Sequence, residues 1–246
     1  MKKILAVFAH PDDEAFGPGG TLAKYANDGV IIHLLCATRG ERGEWNEKSN
    51  IQYSKSKKKE IKIQRIREKE LLRSAEILGI QKTEFLDFID GQLGNAIYHQ
   101  LAEKIISKIK SFAPQVLLTY NRLGVSGHLD HIAISMITTY SFQKTKIPQK
   151  LYYYCFPNKW YDKNFLKYFI YFPEGEKDRD ITTKIDYSRY WEIKRKAMMQ
   201  HKSQMKDVEN LLKRYSKWSK TDHYILQFCR GIKTKFPETD LFSGIK

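Results

Sequence analysis

Short apolar blocks alternate with charged and turn-forming stretches over the first 156 residues of the 246-residue chain. Ile4–Ala9 is a continuous apolar run, as expected for a strand covered on both faces of a parallel sheet. Val30–Ala37, Glu84–Phe88, Gln115–Tyr120 and Lys150–Phe156 predict four further strands. Between them, Leu22–Asn27 reads as a helix with Thr21 as N-cap and Gly29 as its stop. In Lys57–Leu78, Leu71, Leu72, Ala75 and Leu78 form an i, i+1, i+4, i+7 stripe ended by Gly79. Tyr98–Phe112 and Leu129–Phe142 complete the helices. This alternation predicts an α/β fold: a doubly wound, mostly parallel sheet with helices on both faces. Beyond Phe156 the periodicity weakens. Residues 157–190 are expected to be loops with one antiparallel pair, and Tyr190–Leu212 a single helix. No repeat, linker or boundary interrupts the chain. Residues 1–246 are therefore expected to form one domain with a divergent specificity region at about 157–246.

Composition narrows the class. With 41% hydrophobic residues and 13% aromatics, the chain is not of the disordered type. No apolar run approaches the ~20 residues of a membrane helix. Two lysines precede Ile4–Ala9, but that run is shorter than the ~7–15 residues of a signal core, so the start reads as the first strand of a cytoplasmic protein. Cys36, Cys155 and Cys229 are odd in number and far apart. They suggest neither a disulfide framework nor a thiolate metal site. The net charge of +15 is uneven: residues 1–50 hold six Lys/Arg against seven Asp/Glu, which leaves +16 for the rest. The excess peaks at Lys55–Lys69. That run contains no aromatic and no nucleic-acid-binding motif, so it reads as a solvated helix face with affinity for anionic substrates, and no nucleic-acid partner is expected.

The chemistry concentrates in two segments. His10-Pro11-Asp12-Asp13-Glu14 places an imidazole and three carboxylates at the end of a buried strand, where unpaired charge is costly and a divalent cation would offset it. His10 and Asp13, three apart, can both point into one site where the chain turns, with Asp12 beside the ion to take a proton from water. Helix capping needs only one short polar residue and does not explain four titratable groups in five positions. In Gly127-His128-Leu129-Asp130-His131, the two histidines share a face of a starting helix. One can complete the metal site while the other does acid–base work. Two histidines and a carboxylate suit a hydrolytic zinc site, and equally the Fe2+ of non-heme oxygenases. Gly17-Pro18-Gly19-Gly20 is not the dinucleotide fingerprint, and acidic groups stand where a pyrophosphate would lie.

These segments, together with GPGGTLAKYANDG, Thr38-Arg39-Gly40-Glu41, Ile66-Arg67, Glu70-Leu71, Asp87–Gly91, Lys194, His201, Ser203 and Gln204, resemble the LmbE-like, or PIG-L, family of zinc-dependent de-N-acetylases. The resemblance spans residues 4–204 in the family's order. It implies a Zn2+-dependent hydrolase that removes the N-acetyl group from an N-acetylglucosamine-type conjugate, with an amino-sugar conjugate, anionic ones included, as partner. By the same resemblance His10, Asp13 and His131 are metal ligands and Asp12 is the general base. His128 is the acid that stabilises the oxyanion and protonates the amine, and Asp130 orients one of the neighbouring histidines. Arg39, Arg67 and Asp90 stand at substrate-contacting or site-shaping positions. The chain departs from the family at Ser126, where some members carry a tyrosine that polarises the carbonyl, and at Leu129, where proline is usual. The competing reading is a basic protein that binds nucleic acid or anionic glycan around a structural or inactive metal site.

Overall fold

A computed structural model describes residues 1–43, 57–167 and 171–245; for residues 57–61, 166 and 167 it describes the backbone alone. Seven strands form one sheet. They are β1 (Lys3–Phe8), β2 (Ile31–Thr38), β3 (Lys82–Phe88), β4 (Val116–Tyr120), β5 (Lys150–Cys155), β6 (Thr183–Asp186) and β7 (Thr221–Cys229). Their spatial order is β3-β2-β1-β4-β5-β7-β6. The first five strands of that order run parallel, and β7 and β6 are antiparallel additions at the edge. The helices are α1 (Asp13–Phe16), α2 (Gly19–Asn27), α3 (Lys57–Leu78), α4 (Tyr98–Phe112), α5 (Leu129–Lys144), α6 (Trp191–Met198) and α7 (Met205–Tyr215). Helices α1, α2, α3 and α6 pack against one another, and α4 packs on α5.

The core lies where the apolar runs predicted it. Ile4 to Phe8 are at most 1% exposed, and β4 and β5 are buried throughout. Leu117, fully buried in β4, illustrates what this packing contributes. Leu117→Ala should destabilise the protein by about 2–5 kcal/mol, the usual cost of lost contact plus an unfilled cavity. The midpoint of urea denaturation would show it.

Four expectations need correction. Thr21 does not cap α2 but sits inside it, because its backbone N–H and hydroxyl both donate to Asp222 Oδ2, at 2.9 and 2.7 Å. The helix can begin earlier because Gly20 lies flat against the Tyr187 ring, where any side chain would collide. The single helix expected over Tyr190–Leu212 is broken between α6 and α7. There Ser203 gives its N–H (2.8 Å) and hydroxyl (2.6 Å) to the buried Glu70 carboxylate, which competes with helix continuation. In the basic run, Lys62, Arg65 and Lys69 face solvent, but Arg67 turns inward and is 4% exposed; Lys55 and the side chains of Lys57–Lys59 lie outside the described residues. The antiparallel pair expected within residues 157–190 is not formed there among the described residues: β6 pairs instead with β7, which lies beyond that segment and which no sequence pattern announces.

The carboxy-terminal segment is anchored by a buried ion pair. Lys150, the first residue of β5, is fully buried and donates to Glu238 Oε1 at 2.5 Å. Tyr152 donates to Glu238 Oε2 at 2.7 Å. Among the described residues no helix is long and apolar enough to cross a membrane.

The topology fixes where a ligand can sit. The chain winds outward from β1 through β2 to β3, then returns to place β4 on the other side of β1. The loops leaving β1 and β4 therefore diverge and open a crevice at the carboxyl ends of the strands, the position where doubly wound sheets bind ligands.

Candidate metal centre

The loop after β1 is shaped by its own acidic residues. Asp13 Oδ2 accepts the N–H groups of Ala9 (3.1 Å) and His10 (2.8 Å), folding the chain back over the strand end. Asp12 takes the left-handed conformation, φ 116°, which few non-glycine residues adopt and which strains the backbone. Neighbours hold it there. Its N–H donates to Glu14 Oε2 at 3.0 Å, while Arg67 donates to Pro11 O at 2.7 Å and to Asp12 Oδ2 at 3.0 Å. Glu14 is fixed in turn by Ser74 and by His201, whose Nε2 is 2.8 Å away.

Across the crevice, His128 precedes α5 and His131 sits in its first turn. His10 Nδ1 lies 3.2 Å from His131 Nε2, and His131 Nε2 lies 3.3 Å from Asp13 Oδ1. Asp13 offers its other oxygen to His10 Nδ1 at 3.8 Å. Ligand atoms bound at about 2.0–2.2 Å around a tetrahedral zinc ion stand about 3.3–3.6 Å apart, so the two short separations match.

Hydrogen bonds set the tautomers in the sense a metal needs. His131 Nδ1 lies 3.0 Å from the Gly124 carbonyl, which can only accept, so Nε2 carries the lone pair. His10 Nε2 lies 3.0 Å from Asp130 Oδ2 and 3.1 Å from Asp90 Oδ1, so when the ring is neutral its lone pair is on Nδ1. Asp130 is itself held by the N–H groups of Gly91 (2.8 Å) and Leu93 (2.9 Å). His10, His128 and His131 also offer ring nitrogens within 4.8 Å of one another. His128 Nδ1 accepts the Asp130 N–H at 3.1 Å, which leaves Nε2 as the nitrogen it can offer.

The electrostatics point the same way. Burial works against charge on His10, but the hydrogen bonds to Asp130 and Asp90 and the charge of Asp13 outweigh it and push its pKa up to about 10. Burial alone would raise Asp13; the charge and hydrogen bond of His131 prevail and hold it well below the usual carboxylate range. The cluster draws positive charge to this point, and a divalent cation meets that demand. Burial pushes Asp12 up to about 7, with Arg67 opposing and Asp13 adding to the rise. His128 is lowered to about 4 by burial and by the positive charges of His10 and His131.

The structure thus gathers His10, Asp12, Asp13, His128, Asp130 and His131 into one crevice. The Asp130 carboxylate orients His10, 120 positions away, and not the adjacent histidines; its own backbone N–H serves His128. Arg67 and Asp90 lie buried beside these groups, 4% and 6% exposed. Arg39 is engaged with Asp87 and Glu68, both at 2.6 Å, over the Phe85 ring. Sequence reasoning missed Tyr120. Its ring stacks on His131 with centroids 4.3 Å apart, and its hydroxyl hydrogen-bonds Asp13. Its place as the last residue of β4, just before a site loop, was the available signal. Ser126 lies 3.4 Å from His131 Nδ1.

Known proteins resemble this chain in sequence and in fold. The chain is 27% identical over 295 residues to mycothiol S-conjugate amidase of Streptomyces coelicolor, covering 99% of this chain and 97% of that protein. It is 29% identical over 241 residues to 1D-myo-inositol 2-acetamido-2-deoxy-alpha-D-glucopyranoside deacetylase of Thermobifida fusca, covering 83% and 84%. Among solved structures it shares the fold of N,N'-diacetylchitobiose deacetylase from Pyrococcus horikoshii, with a TM-score of 0.69 at 19% identity over 92% of this chain and 84% of that one. Residues 5–141 match the model of the PIG-L family, described as GlcNAc-PI de-N-acetylase. That stretch is more than half of the chain and contains both histidine segments: the chain belongs to the PIG-L family.

Proposed function

We propose that this protein is a metal-dependent amidohydrolase that removes the acetyl group from an N-acetylglucosamine-type sugar conjugate. The observation that carries this reading is that His131 Nε2 stands 3.2 Å from His10 Nδ1 and 3.3 Å from Asp13 Oδ1, beside a partly buried Asp12. The family description and the names of the relatives support an N-acetylated amino sugar as substrate.

Zinc is the ion we assign to His10, Asp13 and His131; bound there it would polarise the acetamide carbonyl and acidify water. Asp12 is the general base. Arg67 holds its Oδ2, which leaves Oδ1 to accept a proton, and a pKa near neutrality suits a group that must both take and return one. Water adds to the carbonyl carbon as its proton passes to Asp12. The C–N bond then breaks, Asp12 returns the proton to the departing amine, and acetate leaves. His128 is neutral, and with Nδ1 accepting from Asp130 its proton resides on Nε2, from which it donates to the developing oxyanion. In this reading its part is electrostatic, and delivery of the amine proton falls to Asp12. Asp130 and Asp90 position His10, and Arg67 positions Asp12.

The test is acetate release from a panel of N-acetylglucosamine conjugates by metal-loaded wild type and His128→Ala. Wild type should release acetate. The variant should keep its metal and turn over about 10²–10³-fold more slowly, the usual cost of one oxyanion donor. A metal-replete wild type that deacetylates none of the panel would refute the reading.

A further inference from the structure

A second cleft lies apart from the metal centre. About 550 Å³ in volume, it opens between the turn Lys159–Asp162, which follows β5, and helix α7. Asn210, Lys213, Arg214 and Lys217 line one wall; the first three, spaced i, i+3, i+4, share one face of α7, and Lys217 follows in the turn just after it. Trp160 and Trp218 line another part, their rings 4.6 Å apart and 4° from parallel, with Trp218 half-buried. The lining holds four cations (Lys159, Lys213, Arg214, Lys217) and one carboxylate (Asp162), a net +3. Asp162 lies 3.7 Å from Arg214, whose guanidinium covers the Phe165 ring at 3.8 Å. Packing alone does not call for such a cluster, since like charges gathered around one opening repel each other.

We propose that this cleft is a second binding site, for a small phosphorylated ligand that also presents a ring face. The lysines and Arg214 offer donors and charge to a phosphate. The indole of Trp218, stacked on Trp160 and half-buried, offers its remaining exposed apolar surface to a ring. A cleft of this volume suits a ligand of that size. Both a sugar phosphate and a mononucleotide carry this chemistry. The cleft also adjoins a metal-site loop. Val125 packs against the aromatic cluster that includes Trp160 and Trp218, and the neighbouring Gly124 carbonyl holds His131.

Tryptophan fluorescence and calorimetry on the full, metal-loaded chain would test this. The ligands are glucose 6-phosphate and uridine monophosphate, against glucose, uridine and inorganic phosphate. At least one phosphorylated ring should bind and change the fluorescence, more weakly as salt rises, and the tighter of the two identifies the ring. In the double variant Lys213→Glu with Lys217→Glu, binding should weaken at least tenfold. Both side chains are exposed, and a wild-type melting curve would confirm that the variant folds; should it not, Lys217→Gln alone should weaken binding severalfold. The proposal is overturned if neither phosphorylated ligand binds at low salt, or if the neutral ring or inorganic phosphate binds as tightly. Wild-type affinity in the charge-altered protein would overturn it too.

Discussion

Asp12→Asn is expected to lower kcat by about 10²–10⁴ with little change in KM, the range that loss of a general base produces, while the metal stays bound. Asparagine is the informative substitution for a backbone reason. Residue 12 has a φ of 116°, a conformation that asparagine tolerates far better than most side chains. Asp12→Ala would strain the loop as well as remove the base, and so confound the two effects. The carboxamide also retains an oxygen for Arg67 to reach. Metal content by mass spectrometry and steady-state kinetics on the same sample separate the outcomes. If Asp12→Asn turns over at the wild-type rate, the base is another group; if it loses its metal, Asp12 is a ligand.

His131→Ala should have the larger effect, abolishing metal binding and measurable hydrolysis together. Its Nε2 is common to the two short donor separations at the centre, 3.2 Å to His10 and 3.3 Å to Asp13. Removing it also takes away the ring stacked on Tyr120 and the imidazole nitrogen beside the buried Asp13 carboxylate. The contrast with His128→Ala is the diagnostic result. The two histidines sit three positions apart at the start of one helix, yet only one variant should lose the ion. A metal-free His128→Ala, or a metal-loaded His131→Ala, would reverse their roles.

The sequence patterns were sufficient for the frame and insufficient for what braces it. Strands β1 to β5 and helices α3 and α4 were legible because their signals are local: continuous apolar runs for buried strands, and apolar stripes ended by Gly79 or followed by Pro114 for helices. The two histidine-bearing segments were legible for the same reason, as short spacings directly after strands; the choice of His131 over His128 rested on the family resemblance alone. The supports were not. Glu70 meets Ser203 across 133 positions, Thr21 meets Asp222 across 201, and Asp130 meets His10 across 120. No local pattern encodes such pairings. Strand β7 escaped because half-buried positions and polar residues such as Asp222, His223 and Gln227 blur its alternation. Its polar residues are spoken for elsewhere: Asp222 serves Thr21 and Lys194.

The Lys150–Glu238 pair sets how far the chain can be trimmed. A protein cut before Glu238 would retain every strand of the sheet and every residue of the metal centre. It would nevertheless leave a fully buried ammonium at the head of β5 with its carboxylate gone, and breaking such a pair typically costs about 3–5 kcal/mol. That is a large share of a domain's whole stability. The nine residues from Glu238 onward, remote from any chemistry, thus act as a counterion delivered by the chain itself. Limited proteolysis that removes them should leave a fragment that denatures and does not persist as a shortened enzyme.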